Sequence, residues 1–334
     1  MRADHLSTML GAKHLVVTLN SGATYHYIVS TESVPVFALG QTEVVIQHDT
    51  FSKADIKSIR LKNITRFLLD EDSTSFGNNY AVDNGMLAFR RTLTVGCWGS
   101  IVLPVSLTGA QVRYAFGDDA MLATVRGFRE DDNATVDYET IALDTDEVVL
   151  KSGEHYLIRP SREPDVAANK TVFLATGLRA TGPLYLIPEV SLALKQSPGI
   201  KGVKSADGTT NLIQRGTYTV KDGSSTANQL LTSKNPVYTL GDDGLFSVHT
   251  DPVLVKAFSS WFYDMSSEPH TISFYVDGVS INPTGIAAVA NSHDALQADN
   301  RIYDLRGCVV GRDGDGQQLP KGIYVKNGKK FIIR

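Results

Sequence analysis

Short runs of apolar residues, alternating with polar ones and separated by turn residues, recur along the whole chain. Tyr25, Tyr27 and Val29 fall at alternate positions of a run that follows residues 20–22, Asn-Ser-Gly. These three turn residues tolerate the positive φ that a tight hairpin requires. Similar runs at 216–220 and 237–240 are also divided from their neighbours by Gly, Asp, Asn or Pro. The pattern predicts an all-β fold of tandem β-sandwich modules, Ig-like or jelly-roll-like.

One segment departs from the strand pattern and predicts a short helix at 108–116. Thr108 can cap the free N–H groups of a first helical turn, and Gln111, three residues later, can bond back to the cap. Gly117 follows the last apolar position and can end the helix with a positive φ.

Composition shifts divide the chain into predicted regions. Residues 70–75 are polar and predict a solvated connection, and residues 281–300 are small and polar, as is typical of a linker. The 205–280 module either stands alone or packs as one domain with the module before it. The predicted regions are a small N-terminal β unit at 13–66, a β-sandwich module at 76–195, a second β module at 205–280, the linker at 281–300 and a β-rich tail at 301–334.

Composition and charge limit the classes of partner. The chain has 334 residues, of which 42% are hydrophobic and 20% charged, as expected for folded domains. The net charge of −4 gives no electrostatic reason to expect nucleic acid or an anionic membrane as a partner. No apolar stretch approaches the roughly 18 residues of a transmembrane segment. Residues 1–13 lack the apolar core of a secretory signal, so either the protein is cytoplasmic or the chain starts after a removed or mis-called signal.

Two cysteines, Cys97 and Cys308, are too few for a disulfide framework. A single bridge between them would close a very long loop. The sequence favours small buried hydrophobic roles for both residues, and it leaves the redox compartment open.

Motifs for catalysis, cofactors or metals are not recognisable in the sequence. The eight histidines are scattered, with no pair at the i, i+4 spacing of a zinc helix. Asp313 and Asp315 suggest calcium, but the spacing lacks the later glutamate of a helix–loop–helix site. We therefore predict no enzyme, no cofactor and no metal site. Adjacent carboxylates are predicted at loop tips rather than across a catalytic cleft: Asp118 and Asp119, Asp131 and Asp132, and Asp242 and Asp243.

The aromatic run Trp261, Phe262 and Tyr263 is the candidate ligand site. Aromatic rings next to polar groups can stack on sugars, so the run predicts a glycan-stacking face. The alternative is that a strand places half of the run in the core and half at the surface.

The last 33 residues carry the one resemblance that is specific to a family. Ten residues match in order, spacing and position at the chain end: Tyr303, Asp304, Leu305, Gly307, Leu319, Pro320, Gly322, Tyr324, Gly328 and Lys329. They resemble the C-terminal sorting tail of type IX secretion substrates, which one phylum of Gram-negative bacteria uses. Cys308 and the insert at 311–316 depart from the family pattern. The physical pattern predicts three strands, with a hairpin turn at Asn327 and Gly328.

The resemblance implies a secreted or outer-membrane cell-surface protein whose tail is recognised by the secretion machinery. Together with the all-β pattern, it predicts a non-enzymatic binding or adhesion protein with a surface glycan or a protein as ligand. Two alternatives stay open: a secreted carbohydrate-active hydrolase or glycan-binding accessory protein, and a structural subunit of a surface assembly.

Overall fold

Strands form most of the protein in the computed structural model. The structure describes residues 9–29, 36–47, 49–77, 81–130, 132–175, 178–194, 196–231, 235–266, 271–282, 301–304, 309–312, 321–326 and 329–333. The all-β class predicted from the alternating pattern is confirmed, and α1 (Gly109–Phe116) is the single α-helix among these residues.

The strands follow one another at short intervals. The first seven are β1 (Met9–Leu19), β2 (Thr24–Val29), β3 (Phe37–Leu39), β4 (Glu43–Ile46), β5 (Asp49–Ser52), β6 (Ile56–Asp70) and β7 (Val82–Arg90). Around the helix lie β8 (Gly99–Ile101), β9 (Leu107–Thr108), β10 (Met121–Arg129), β11 (Asp132–Ile141), β12 (Val148–Leu150) and β13 (Tyr156–Arg159). Next come β14 (Thr171–Ala175), β15 (Leu178–Thr181), β16 (Leu184–Leu192), β17 (Ile200–Lys204) and β18 (Asn211–Thr217). After a 3-10 turn at Thr226–Asn228 follow β19 (Val237–Leu240), β20 (Phe246–His249), β21 (Ser259–Asp264), β22 (Ser273–Val276) and β23 (Val279–Ser280). The tail contains β24 (Arg301–Asp304), β25 (Val309–Arg312), β26 (Gly322–Lys326) and β27 (Lys329–Ile333).

The helix has the capping box that the sequence predicts. The Gln111 N–H donates to Thr108 Oγ1 at 3.2 Å, and the Thr108 N–H donates to Gln111 Oε1 at 2.9 Å. Both bonds use N–H groups that the first helical turn cannot pair internally. Gly117 ends the helix with a φ of 109°.

The chain forms two compact units, and the first contains Met1–Asp70, Phe76–Arg91 and Pro164–Lys195. Its main sheet has the order β16-β7-β6-β1-β2, antiparallel except for the β6–β7 pair. The three-stranded sheet β3-β4-β5 packs on one face through Val44, Ile46 and Phe51. The β14–β15 hairpin covers the other face with Leu174 and Ala180.

A buried basic cluster lies in this first unit. The Arg66 side chain is 1% exposed, and its Nε–H donates to His14 Nε2 at 2.6 Å. This bond requires a neutral His14, because Nε2 must accept. Burial, reinforced by the positive charge of Arg66, lowers the pKa of His14 to about 3. Another guanidinium N–H of Arg66 donates to the Leu174 carbonyl, and Arg66 Nη2 has no hydrogen-bond partner among the described residues.

The second unit contains Glu71–Ser75, Thr92–Glu163 and Gln196–Arg334. Two of its sheets, with the orders β23-β22-β11-β10-β13-β8 and β17-β18-β21-β19-β20, enclose one apolar core. Val136, Tyr138 and Phe274 enter this core from the first sheet, and Phe246 and Phe262 enter it from the second. Residues from the predicted 76–195 and 205–280 modules therefore share one core.

The division into units follows pairing between strands that are distant in the chain rather than the predicted module boundaries. β16, from the predicted 76–195 module, pairs with β7, and β7 pairs in parallel with β6 of the predicted 13–66 region. The start of the predicted linker also belongs to the fold, because Ile281 is buried in the core of the second unit. Residues 283–300 lie outside the described residues.

The predicted solvated connection at 70–75 is confirmed for Asp72, Thr74 and Ser75, which are exposed, but not for Glu71. Glu71 is 2% exposed, and its carboxylate accepts hydrogen bonds from the backbone and the hydroxyl of Thr92 at 2.9 and 2.6 Å. Lys256 Nζ lies 3.3 Å from the same carboxylate. The backbone also pairs, since Val220 N–H donates to the Ser73 carbonyl. A charged residue is buried here because its partners come from distant parts of the chain.

The tail forms a separate four-stranded sheet with the order β25-β24-β26-β27, where the sequence predicted three strands. The additional strand is β25, which pairs with β24 and includes Gly311 and Arg312, assigned from the sequence to a lengthened loop. Tyr324 is buried, and its ring lies 5.8 Å from that of Phe331.

Cys97 is disulfide-bonded, whereas the sequence favoured a small hydrophobic role for an unbonded cysteine. The Cys97 side chain is also buried, as the sequence predicted. Cys308, the other cysteine of the chain, lies outside the described residues.

Candidate ligand-binding cleft

The aromatic run at 261–263 lies on β21, in the middle of a five-stranded sheet of the second unit. Successive side chains of a strand point to opposite faces. Phe262 therefore enters the core, 5.4 Å from the ring of Phe274, while Trp261 and Tyr263 lie on the outer face. The structure thus brings two of the three candidate glycan-stacking residues together and separates the third from them.

A cleft of about 360 Å³ opens on this outer face. Its sheet side consists of Ile200, Arg215, Gly216, Trp261 and Tyr263, and its rims consist of Pro198, Gly199, Lys221, Gln229, Leu230 and Leu231. The volume is near the lower end of the range of about 300 to 1,000 Å³ for small-molecule pockets.

Backbone pairing holds the rims of the cleft in place. Lys221 and Leu231 form isolated bridges with Val255 and Val253, which fixes the loop between them at both ends. At the opposite rim, Nε2 of the buried His155 donates to the Gly199 carbonyl at 2.9 Å. The cleft is therefore largely pre-formed, and a ligand would not have to order these rims.

Trp261 and Tyr263 contribute differently to the cleft. Their rings meet edge to face, with centroids 6.1 Å apart. Trp261 is only 4% exposed and packs against Leu231, Val237 and Val255. Tyr263 is half-buried, so it provides the larger part of the aromatic surface that a ligand could reach. The indole Nε1–H of Trp261 is buried without a hydrogen-bond partner among the described residues, and such a donor is unusual in a folded protein.

Arg215 places a positive charge beside these rings. Arg215 is the cross-strand neighbour of Trp261, and its guanidinium carbon lies 5.6 Å from the centre of the Tyr263 ring. This is a cation–π contact. Within the described part of the chain the guanidinium has no ion-pair partner.

Lys221 adds a second cation at the rim, and burial lowers the pKa of its ammonium below the usual value. The neighbouring Asp222 carboxylate accepts a hydrogen bond from the Ser224 N–H at 2.9 Å within its own turn. The charged residues that line the cleft are thus both basic, in a chain whose net charge is −4.

The residues of the sorting-like tail lie in a different place. Tyr303 and Asp304 are on β24, Gly322 and Tyr324 are on β26, and Lys329 begins β27. The candidate tail residues Leu305, Gly307, Leu319, Pro320 and Gly328 lie outside the described residues, as do Asp313 and Asp315 of the calcium hypothesis.

The acidic pairs lie mostly in exposed turns, as predicted. Asp118 and Asp119 follow the helix, and Asp242 and Asp243 lie in the β19–β20 turn. Asp132 instead begins β11, and Asp131 is outside the described residues. Throughout the described ranges, no group of three or more His, Cys, Asp or Glu side chains is arranged to hold a metal ion.

Sequence reasoning did not identify Arg215 or Lys221 as candidate site residues. The pattern predicted a strand at 216–220, whereas β18 runs from Asn211 to Thr217 and includes Arg215. The run Leu212, Ile213, Gln214 lacks a clean apolar–polar alternation, so it gave no register. No local signal could have paired Arg215 with Trp261, because 46 positions separate them in the numbering.

A smaller cleft of about 170 Å³ lies in the first unit and has the opposite charge. Asp49 and Asp55 line it beside Tyr25 and Phe51. The Asp49 carboxylate already accepts a hydrogen bond from the Tyr27 hydroxyl at 2.6 Å, which gives it a structural role.

None of the helices in the described residues is both long enough and apolar enough to cross a membrane. No family model matches the chain, and searches of curated proteins and of solved structures found no match.

Proposed function

We propose that this chain is a non-enzymatic binding protein of the cell exterior that takes a saccharide in the cleft beside Trp261 and Tyr263. The observation that carries this proposal is the position of Tyr263, which is half-buried at the cleft with the Arg215 guanidinium carbon 5.6 Å from its ring centre. An amphipathic ring beside hydrogen-bond donors suits a ligand with C–H faces and many oxygens.

Binding is a better proposal for this cleft than glycoside hydrolysis. Hydrolysis ordinarily uses two carboxyl groups that flank the scissile bond. The charged residues that line the cleft are Arg215 and Lys221, which donate hydrogen bonds and cannot serve as that pair. We therefore place the carbohydrate-active hydrolase second.

Two observations support the exterior location in this proposal. The tail residues 301–334 resemble a type IX sorting tail, and the tail strands β24 to β27 form a sheet of their own. Cys97 is disulfide-bonded, and disulfides persist mainly in oxidising compartments. Fractionation of the native host, with thiol counting on the purified protein, tests this part. Recovery in the outer fraction without free thiols is expected, and recovery only in the cytosol with two free thiols would contradict it.

A glycan array tests the binding part of the proposal. The folded full chain should give a defined set of saccharide signals, and Tyr263→Ala should lose most of each signal. Tyr275→Ala provides a matched control, since Tyr275 also lies under an arginine, 4.9 Å from the Arg129 guanidinium carbon, on a different sheet. An array without signals, or signals that Tyr263→Ala leaves unchanged, would remove saccharide binding at this cleft.

A further inference from the structure

The polar groups around the cleft are mainly hydrogen-bond donors. The Arg215 guanidinium and the Lys221 ammonium can donate but cannot accept. The Gln229 amide and the Tyr263 hydroxyl, which also line the cleft, can do both. A ligand that pairs with the Arg215 guanidinium must therefore supply acceptors, and negatively charged oxygens make the strongest hydrogen bonds to such a donor.

On this basis, and resting on the proposed function, we infer that the cleft selects saccharides that carry a carboxylate, with Arg215 as the main determinant of this selectivity. The planar guanidinium suits a carboxylate because its N–H groups match the two oxygens in a bidentate arrangement. In the described structure Arg215 has no carboxylate partner of its own, so its donors are available to a ligand.

The geometry favours a compact sugar acid over an extended acidic peptide. β18 and β21, which form the floor, are each paired on both sides within the order β17-β18-β21-β19, so the floor has no free strand edge to which a peptide could add. The volume of about 360 Å³ is that of a small-molecule site, and Tyr263 supplies a ring face rather than a row of side-chain pockets.

The test uses three small sugar probes that differ in charge but hardly in shape, and one acidic peptide. Methyl β-glucuronide, its neutral methyl ester, methyl β-glucoside and a hexapeptide of glutamate are titrated into the full chain by calorimetry or by NMR. We expect the glucuronide to bind roughly tenfold more tightly than the ester or the glucoside, as one charge-assisted hydrogen-bond pair would provide. The preference should weaken as salt is raised, because the cleft is open to solvent.

Two arginine variants assign the effect to the cleft. Arg215→Gln should bring the affinity for glucuronide down to that for the ester. Arg129→Gln, which removes an arginine that lies over a tyrosine on a different sheet, should leave the preference unchanged.

The outcomes separate this inference from the function on which it rests. If the ester and the glucoside bind as tightly as the glucuronide, carboxylate selectivity is overturned while saccharide binding stands. If only the glutamate peptide binds, and Arg215→Gln abolishes that binding, the saccharide class is wrong for this cleft. If neither the glucuronide nor the neutral sugars bind at millimolar concentration, the inference is overturned, and the glycan array then decides the proposed function independently.

Discussion

Two arginine–tyrosine pairs of the second unit have similar geometry and different surroundings. Arg129 lies over Tyr275 at 4.9 Å, and Arg215 lies over Tyr263 at 5.6 Å. Arg129 also donates to both carboxylate oxygens of Asp137, at 3.1 and 2.7 Å. Those hydrogen bonds are the main reason that the pKa of Arg129 is raised above its usual value.

The Arg215 pair has no such carboxylate within the described residues, and a second cation, Lys221, lines the same cleft. The charge of Arg129 is thus balanced by a carboxylate of the protein. The donors of Arg215 are available to a ligand in the cleft. The comparison teaches that a cation–π contact alone does not mark a site, because the balance of charge around it decides whether a ligand is needed.

The largest expected effect concerns the core beneath the Arg215 pair. Phe262 is 1% exposed between the two sheets, so Phe262→Ala leaves a cavity and should lower the free energy of unfolding by about 3 to 5 kcal/mol. Tyr263→Ala, one position away on the other face, should cost about 1 kcal/mol. Urea denaturation of both variants measures the difference in the free energy of unfolding. Equal losses would show that the inner and outer faces of β21 do not differ in their contribution to stability.

A second arginine without a carboxylate partner in the described part of the chain, Arg66, sharpens the comparison. Arg66 is buried and donates to a neutral His14, whose pKa is lowered to about 3. The unfolded state binds the additional proton between that value and the usual pKa of about 6.5, so stability falls as the pH falls through this window. The slope from His14 approaches about 1.4 kcal/mol per pH unit.

Urea denaturation between pH 4 and pH 6.5 checks this pH dependence. His14→Gln keeps an acceptor for Arg66 but does not titrate, so the variant should lose much of the slope. His26 and His155, whose pKa values are also lowered by burial, titrate in the same direction and remain in the variant. An unchanged slope in His14→Gln would mean that His14 is not held neutral.

Trp261→Phe tests whether the indole of Trp261 contributes to ligand binding, and it should change stability less than Phe262→Ala does. The replacement keeps an aromatic ring but removes an N–H that has no hydrogen-bond partner among the described residues. Stability should fall by only about 1 to 2 kcal/mol, from the lost ring volume. Because the indole N–H is buried, affinity for the saccharide should stay within about twofold of the wild type. A loss of affinity of roughly fivefold or more in calorimetry, the worth of one neutral hydrogen bond, would show that the ligand reaches the indole N–H.

The smallest effect is expected at the balanced pair. Asp137→Asn removes the charge that faces Arg129, whose side chain is 41% exposed. Because solvent screens such a pair, the loss of stability should be at most about 1 kcal/mol, and saccharide affinity should not change. A loss of binding in this variant, measured beside the wild type, would break the distinction between the two arginines.

Sequence reasoning predicted the features that depend on neighbours in the chain. The capping box of Thr108 and Gln111 and the hairpin turn with Gly22 are confirmed, because a few adjacent residues determine both. The aromatic run was identified, but which of its members share a face required the register of β21.

The rest depends on contacts between distant positions. No local sequence pattern predicts the parallel pairs β6–β7 and β11–β22. The same holds for the burial of Glu71 and for the contact of Arg215 with Trp261. Alternation identifies a strand but not its neighbour in a sheet, so the cleft could be drawn only from the structure.

The fluorescence of Trp261 offers the most direct measurement of the central claim, that the Arg215–Tyr263 cleft is a ligand site. The chain has two tryptophans, so Trp98→Phe leaves Trp261 as the only indole reporter. Titration with the saccharide selected by the array should produce a saturable change in emission. Adding Tyr263→Ala should weaken binding by tenfold or so, as loss of a central aromatic contact does, and adding Tyr275→Ala should not. No change in emission at saturating ligand, or equal weakening by both tyrosine variants, would contradict the claim.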